Sequence, residues 1–392
     1  MNSLNSDESK LINLKNYFPE DFASIENTFS EKLQNQDIIL IGAAGSIGSA
    51  ILPLILNIIP KNLLLLDQDE NRLTNLLRLA RAKEWINPQT KLSVAAMDFG
   101  STEAKQLLAR YSKTPIVLNF AAAKHVRSER DIYGIAHLLN ENFIKPWQLI
   151  EDLNPSYYFG VSTDKAANPV NFMGASKALH EKLLMYVNSS STRFANVAFS
   201  QGSLLESWQY RLGWNEPLVA PSDIKRFLIS HQDAAHLCAI SISIANNSGI
   251  LIPRENVVES FLLHEIAMRY LKGKNLKPVV FEDYHEAQQM LNSRNDESNE
   301  WPIVVTKSNT DGEKKFEEFV GRGENSSAIT THTCQVTPLP CKTEELLEIK
   351  NFVRHELFNL QNDWREKLVQ LVSRVIPSFD PVSGLEKLDN RP

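Results

Sequence analysis

The segment from Asp37 to Asp67 constrains this chain more than any other. It reads as an apolar run "DIILIG", a glycine-rich turn "IGAAGSIG", a helical stretch through Ile59, and a second apolar run, "NLLLLD". Apolar runs without polar alternation belong to strands buried on both faces, and such strands occur in parallel sheets covered by helices. The pattern continues downstream. The helical "DENRLTNLLRLARA" leads to "KLSVAAMD", a helix near Glu103 to Tyr111, "PIVLNFA", a longer helix from about Ile132 to Glu151, and "YYFGVS". Strands alternating with helices predict an α/β, doubly wound parallel sheet of the Rossmann type.

After about Ser200 the pattern loosens. Short runs such as "GILIP" and "KPVVFE" mix with helices, and "SRNDESNE" and "SNTDGEKK" read as exposed polar segments. From Thr343 to Ile376 apolar residues recur at helical spacing: Leu346, Ile349, Val353, Leu357, Leu360, Trp364, Leu368, Leu371 and Val375. This amphipathic stripe either packs on its own domain or forms an oligomer interface. The division that follows is an N-terminal arm (1–36), a cofactor-binding Rossmann domain (37–200), a smaller α/β substrate-binding part partly interleaved with the main sheet (201–325), and a helical C-terminal extension (326–392). Residues after Asp380 read as frayed.

With 392 residues, 43% of them hydrophobic, the chain can bury a substantial core. A net charge of -6 argues against a nucleic-acid binder or a polybasic membrane-surface protein. The cysteines, Cys238, Cys334 and Cys341, are odd in number and few, so we expect no disulfide framework and a reducing compartment. Cys334, Cys341 and His332 lack zinc-site spacing, and no metal is expected. "MNSLNSDESKLINLKNYF" has no signal-peptide pattern. The longest apolar stretch, "IGSAILPLILNIIP", is too short to span a bilayer and contains Pro53, so it reads as a buried helix. The expectation is a soluble cytoplasmic homo-oligomer with no membrane or nucleic-acid partner.

The glycine turn carries chemistry. Gly42, Gly45 and Gly48 are spaced GxxGxxG, with Ser46 and Ile47 opening the helix. Glycines here let the backbone turn tightly and bring a pyrophosphate to the helix N-terminus, where amides and dipole favour negative charge. Asp67 ends the second strand, where a carboxylate accepts bonds from adenosine ribose hydroxyls and repels a 2′-phosphate, which favours NAD. Arg72 leaves NADP open. Asp98 ends the third strand, where it could meet an adenine amino group or serve as a strand-end cap.

Six segments then carry a family resemblance: "IGAAGSIGSAIL", "NFAAAKHV", "VSTDKAANPVNFMGASKALHEKLL", "TRFANVAFSQGSLL", "PLVAPSDIKRFLISHQDAAHL" and "DGEKKFEE". In this order they resemble the nucleotide-sugar 4,6-dehydratases of the polysaccharide-biosynthesis group, an extended branch of the short-chain dehydrogenases acting typically on UDP-N-acetylglucosamine. The resemblance covers roughly Leu11 to Val320. The chain departs from the family pattern at Ala43, where a glycine is usual. Asn119 and Phe120 stand for a histidine and an alanine, Arg127 for a proline, and Gln201 for an arginine.

The resemblance implies a hydro-lyase for cell-surface glycan synthesis, with NAD as cofactor and a UDP-linked amino sugar as substrate. Ala121 and Ala122 then line the cofactor, and Lys124 and His125 the substrate. Asp164 is the acid at C6 and Lys165 the base at C5, which requires a lowered lysine pKa. Thr163 could bond the C4 oxygen. Asn196, Ser200 and Arg226 match positions that hold the nucleotide diphosphate, a task that suits an arginine fork. Asn142 either bridges structure and water or touches substrate. Met173 stands where most members have a catalytic tyrosine, four residues before Lys177 and on the same helical face. It can do no acid–base work and reads as an apolar filler, while Lys177 can still bind the nicotinamide ribose. The long membrane-anchored members of the family also carry methionine there. The C4 proton then goes to Asp164, to Lys177, or through Thr163 and water. A nucleotide-sugar 4-epimerase or oxidase, or a catalytically silent nucleotide-binding protein, are the other readings.

Overall fold

Each apolar run of the first half forms a strand of one sheet. The computed structural model describes residues 8–124, 129, 131–244, 248–295, 297–307, 316–359 and 363–381. His125, Arg127 and Leu360 lie outside these residues.

In chain order the first half comprises α1 (Pro19–Leu33), β1 (Asp37–Ile41), α2 (Ser46–Asn57), β2 (Asn62–Asp67), α3 (Glu70–Ala82), β3 (Lys91–Ala96), α4 (Thr102–Tyr111), β4 (Ile116–Asn119), α5 (Ile132–Leu139), α6 (Lys145–Leu153), β5 (Tyr157–Thr163), α7 (Phe172–Leu184) and β6 (Ser189–Phe194). The second half adds β7 (Asn196–Val197), α8 (Leu204–Gly213), β8 (Leu218–Pro221), β9 (Lys225–Ile229), α9 (His231–Ile244), β10 (Ile250–Pro253), β11 (Ser260–Leu262), α10 (Leu263–Gly273), β12 (Lys277–Phe281), α11 (Tyr284–Ser293), β13 (Glu300–Thr306), β14 (Asn325–Ala328), β15 (Thr333–Thr337), α12 (Thr343–Asn351) and α13 (Trp364–Val375). Short polar side chains start several helices: Asp69, Ser101, Asn171 and Ser203 each accept a bond from a backbone N–H three residues on.

Among the described residues the main sheet runs β14-β15-β10-β6-β5-β4-β1-β2-β3. Strands β3 through β10 pair in parallel, and β15 and β14 join antiparallel. Strand order reverses between β1 and β4, and ligands bind at such a switch point, beyond the carboxyl ends of the strands. Two small sheets, β11-β9-β7 and β12-β13-β8, form the part opposite.

One face of the main sheet is covered by α1, α2, α3 and α9, and the other by α4 to α7 with α12 and α13. The N-terminal segment is therefore not a loose arm. Phe18, Phe22, Phe29 and Leu33 belong to the core, and the fully buried Asp233 accepts from the amides of Tyr17 and Phe18. At the other end, the boundary drawn at 326 falls inside β14, so the chain through Thr337 extends the sheet and the helical part starts at Thr343. "NSSA" is polar and exposed, and no periodicity marks it as a strand. The apolar stripe packs on its own domain: Leu346, Ile349, Val353, Leu357, Leu368, Leu371 and Val375 bury with α6 and α7 residues such as Leu149, Leu153 and Leu179. No helix among the described residues is long and apolar enough to cross a membrane. None of their His, Cys, Asp and Glu residues group as a metal site.

A buried charge cluster ties three distant segments together. Arg193 on β6 is 1% exposed. Its guanidinium donates to Glu181 of α7 at 2.8 and 2.6 Å, to Glu324 at 2.6 and 2.8 Å, and to the Phe319 carbonyl at 2.9 Å. These bonds match every N–H of the fork. Removing the Glu324 charge leaves Glu181 as counter-charge but weakens two charge-assisted bonds, at about 1.5 kcal/mol each. Glu324→Gln should therefore lower unfolding stability by about 3 kcal/mol, read from urea denaturation. A loss below about 1 kcal/mol would mean that Glu181 alone satisfies the cation.

Candidate active site

The glycine turn sits at the switch point and is crossed by the chain leaving β4. Gly42 has φ +71, and a Cβ there would lie 2.6 Å from the Ala121 amide nitrogen. A Cβ on Gly48 would lie 2.2 Å from the Gly42 carbonyl. Side chains at these positions would collide with the backbone after β4 and with the turn itself, so only glycine lets the turn close this tightly onto α2. Asp67 braces the turn, accepting from the Ala44 amide at 2.8 Å and from the Asp69 amide at 3.0 Å. The Ser46 hydroxyl accepts from the Gln201 amide at 2.9 Å, so the turn is joined to the substrate side through a position where the chain departs from the family. Ile47 packs on the core, and Ala121 and Ala122 follow β4. These features fit a dinucleotide with its pyrophosphate at the start of α2.

Asp98 is committed elsewhere. It caps the Gly100 amide at 2.8 Å and pairs with Lys145 at 2.5 Å. Burial pushes its carboxyl up, but the Lys145 and Gly100 bonds outweigh this and hold it below the usual range. The strand-end cap is thus the arrangement present, with Lys145 as a partner that sequence spacing does not show.

The long helix predicted from Ile132 forms, with a π turn at Asn140–Ile144 between α5 and α6. That wider turn contains Asn142, which accepts from the Ala123 amide at 2.9 Å and donates to the Ala123 carbonyl at 2.8 Å and to Ser176 at 2.9 Å. It binds the chain after β4 to α7, which is the structural alternative of the two weighed for it. Lys124 follows at the exposed edge, near Lys165 and Glu206.

Strand β5 ends in Thr163, and Asp164–Ala166 form a short 3-10 turn before α7. Asp164 is 1% exposed. Its Oδ1 accepts from Thr163 Oγ1 at 2.8 Å and Lys165 Nζ at 3.2 Å, and its Oδ2 has no hydrogen-bond partner among the described residues. Adjacent side chains thus converge because the strand gives way to a turn. Lys165 Nζ also lies 3.4 Å from Glu317 Oε1, which is 3.8 Å from Arg226 Nε. Burial pushes the Lys165 amine down, but the Asp164 and Glu317 carboxylates outweigh it, Arg226 opposing, and the amine sits above its usual range. A base at C5 was expected to need a lowered amine, and the two carboxylates reverse that direction.

Helix α7 carries Met173, 3% exposed, and Lys177, 4% exposed. The buried Glu129 accepts from the Phe172 and Met173 amides at 2.9 and 2.6 Å, and so caps the helix with a carboxylate at its positive end. Lys177 Nζ donates to the Val161 carbonyl at 2.9 Å, and burial pushes the amine down to about 8. His180, one turn further, packs against Gly160, where a Cβ would lie 2.3 Å from its ring. Burial and the Lys177 charge hold this imidazole well below its usual range.

Arg226 on β9 joins the Lys165 cluster. Asn196 donates to the Phe227 carbonyl at 3.4 Å, and Ser200 lies in the turn after Phe199, whose φ is +57. Sequence spacing missed Glu317, Glu129 and the Arg193 partners. Glu317 lies within "DGEKKFEE", but nothing in that segment shows that it folds back onto "STDK".

The fold matches that of Pen from Bacillus thuringiensis, with TM-score 0.60 and 19% identity over 79% of this chain and 89% of that one. It also matches an epimerase from Methanothermobacter thermautotrophicus, with TM-score 0.53 and 13% identity over 73% and 88%. The fold is thus similar to that of the extended short-chain dehydrogenases. A family model described as "Polysaccharide biosynthesis protein" matches residues 38–338, and the chain belongs to that family. A UDP-N-acetylglucosamine 4,6-dehydratase (inverting) of Campylobacter jejuni is 22% identical over 81% of this chain and 97% of its own length. An uncharacterized membrane protein of Methanocaldococcus jannaschii is 29% identical over 64% and 75%. A capsular polysaccharide biosynthesis protein, CapD, of Staphylococcus aureus is 25% identical over 63% of this chain but only 43% of its own length, so the chain spans less than half of that relative.

The Lys177 amine, at about 8 in the fold against 10.5 in a free chain, predicts a pH effect on stability. Below about pH 8 both states are charged and the folded state carries the full cost of burial, about 3 kcal/mol. Between about pH 8 and 10.5 only the unfolded chain is protonated, and the cost falls away. Lys177→Met should gain most over the wild type below pH 8, with the gap narrowing as pH rises to 10.5, measured by chemical denaturation.

Proposed function

We propose that the protein is a nicotinamide-dependent nucleotide-sugar 4,6-dehydratase acting on UDP-N-acetylglucosamine, with NAD as the cofactor. One observation carries this reading: Asp164 and Lys165 meet at 3.2 Å beside Thr163, at the carboxyl end of β5. An epimerase needs no proton transfers at C5 and C6, whereas elimination of water needs both an acid and a base there.

Gly42, Gly45, Gly48 and the first amides of α2 would hold the pyrophosphate, Asp67 the adenosine ribose and Lys177 the nicotinamide ribose. A nicotinamide held there would supply the hydride transfer between C4 and C6 that the reaction needs. Thr163 donates to Asp164 in the free protein and can turn its hydroxyl to the C4 oxygen. The C4 proton has no phenol to receive it, and Lys177, with its amine near 8, is the base best matched to neutral pH. Lys165 then removes the C5 proton, and Asp164 protonates the departing C6 hydroxyl as water. The carboxylate–ammonium pair of the free protein and the acid–amine pair that this step requires hold the same protons. They differ by one transfer across the Asp164–Lys165 hydrogen bond, so the raised Lys165 is compatible with the chemistry. Asn196, Ser200 and Arg226 would hold the diphosphate, Arg226 exchanging its Glu317 contact for phosphate oxygens.

Incubation with UDP-N-acetylglucosamine should give a product lighter by about one water in mass spectrometry. Lys165→Ala and Asp164→Asn should each lower kcat by about 10²–10⁴. A product of unchanged mass would make the protein an epimerase, and no turnover despite bound NAD would make it a silent binder. Met173→Ala should lower kcat by less than about tenfold, because a filler contributes packing alone. Loss of all activity with folding and NAD binding intact would overturn that role.

A further inference from the structure

Glu317 comes to the site from a segment remote in sequence. Its side chain is 2% exposed, with Oε1 between Lys165 Nζ at 3.4 Å and Arg226 Nε at 3.8 Å. The stretch 316–324 is pinned where it enters the site. Asn168 donates to Glu318 at 2.7 Å and accepts from the Arg322 amide at 2.9 Å. Arg193 holds Phe319 and Glu324. A Cβ on Gly321 would lie 2.3 Å from the Ala167 carbonyl, so the segment runs directly against the loop after Lys165. A carboxylate taken out of water at this depth needs cations beside it, and Lys165 and Arg226 of the site are two that it has.

We propose that Glu317 is a positioning residue: it holds the Lys165 ammonium between itself and Asp164, and so governs whether Lys165 meets the sugar as ammonium or as amine. The groups facing Lys165 are Asp164 on its own turn, Glu317 on the returning segment, Arg226 on β9 and Lys124 after β4, with Glu206 of α8 facing Lys124 in turn. Removing the Glu317 charge leaves one carboxylate against two cations, which favours the amine. The role deepens the dehydratase reading, but its first test does not depend on turnover.

In protein labelled with ¹³C at lysine Cε, the Lys165 resonance is identified by its loss in Lys165→Arg. In Glu317→Gln it should titrate at lower pH than in the wild type, and in Glu317→Asp close to the wild type. An unchanged Lys165 titration in folded Glu317→Gln overturns the proposal. If that variant does not fold, Arg226→Gln provides the opposite displacement. Loss of the opposing Arg226 charge then moves the Lys165 titration to higher pH, and no movement overturns the proposal equally. With UDP-N-acetylglucosamine, the acid limb of kcat should move to lower pH in Glu317→Gln and return in Glu317→Asp. An equal loss at every pH with the limb unmoved would show a merely structural role and overturn the proposal. Absence of turnover in the wild type would count against the dehydratase reading, and the lysine titration would then decide the role of Glu317 by itself.

Discussion

Arg193 holds a full positive charge inside the protein, and the site depends on how that charge is satisfied. Burying a guanidinium costs several kcal/mol unless each donor finds an acceptor. Here the acceptors come from α7, which carries Met173 and Lys177, and from the stretch that carries Glu317. Ser162, next to Thr163 and the Asp164–Ala166 turn, donates to the same Glu181 at 2.5 Å. Strand, helix and returning segment are thus locked to one another by a directional cluster. Apolar packing would tolerate small slides, whereas a bidentate fork does not.

The second organising feature is the sharing of protons among few groups. Lys165 lies between Asp164 and Glu317, and Lys177 is buried against a carbonyl with no carboxylate bonded to it. Two lysines on one short stretch are therefore driven in opposite directions, Lys165 up by carboxylates and Lys177 down by burial. Environments that push pKa values apart assign acid and base roles. Met173 adds no titrating group, so on the proposed reading the difference between the two lysines carries the acid–base chemistry.

Much of the fold was legible in the sequence because β1, β2, β4 and β5 are buried on both faces and read as largely apolar runs, whereas the buried but polar β6 gives no such signal. The glycine turn and Asp67 were legible because backbone geometry restricts what can occupy a strand–turn–helix junction. Legibility fell where side chains act across the chain. Asp98 caps the nearby Gly100 amide, and its second partner, Lys145, comes from 47 residues further along the chain. The strands from Asn325 to Thr337 do not show in the sequence because β14 is a polar, exposed edge and β15 buries only Thr333 and Val336 within a polar run. His125 and Arg127 lie outside the described residues.

The sequence by itself determined the layered α/β architecture, the glycine turn at the first strand–helix junction and the adjacency of Asp164 and Lys165, because each rests on residues close together along the chain. Tertiary structure alone decided the direction in which Lys165 is shifted and the company it keeps. Those depend on Glu317 and Arg226, which approach only when β9 and the returning segment fold over the end of β5. Electrostatic interactions fall off with distance in space and are strengthened by burial, and neither is written in the order of residues.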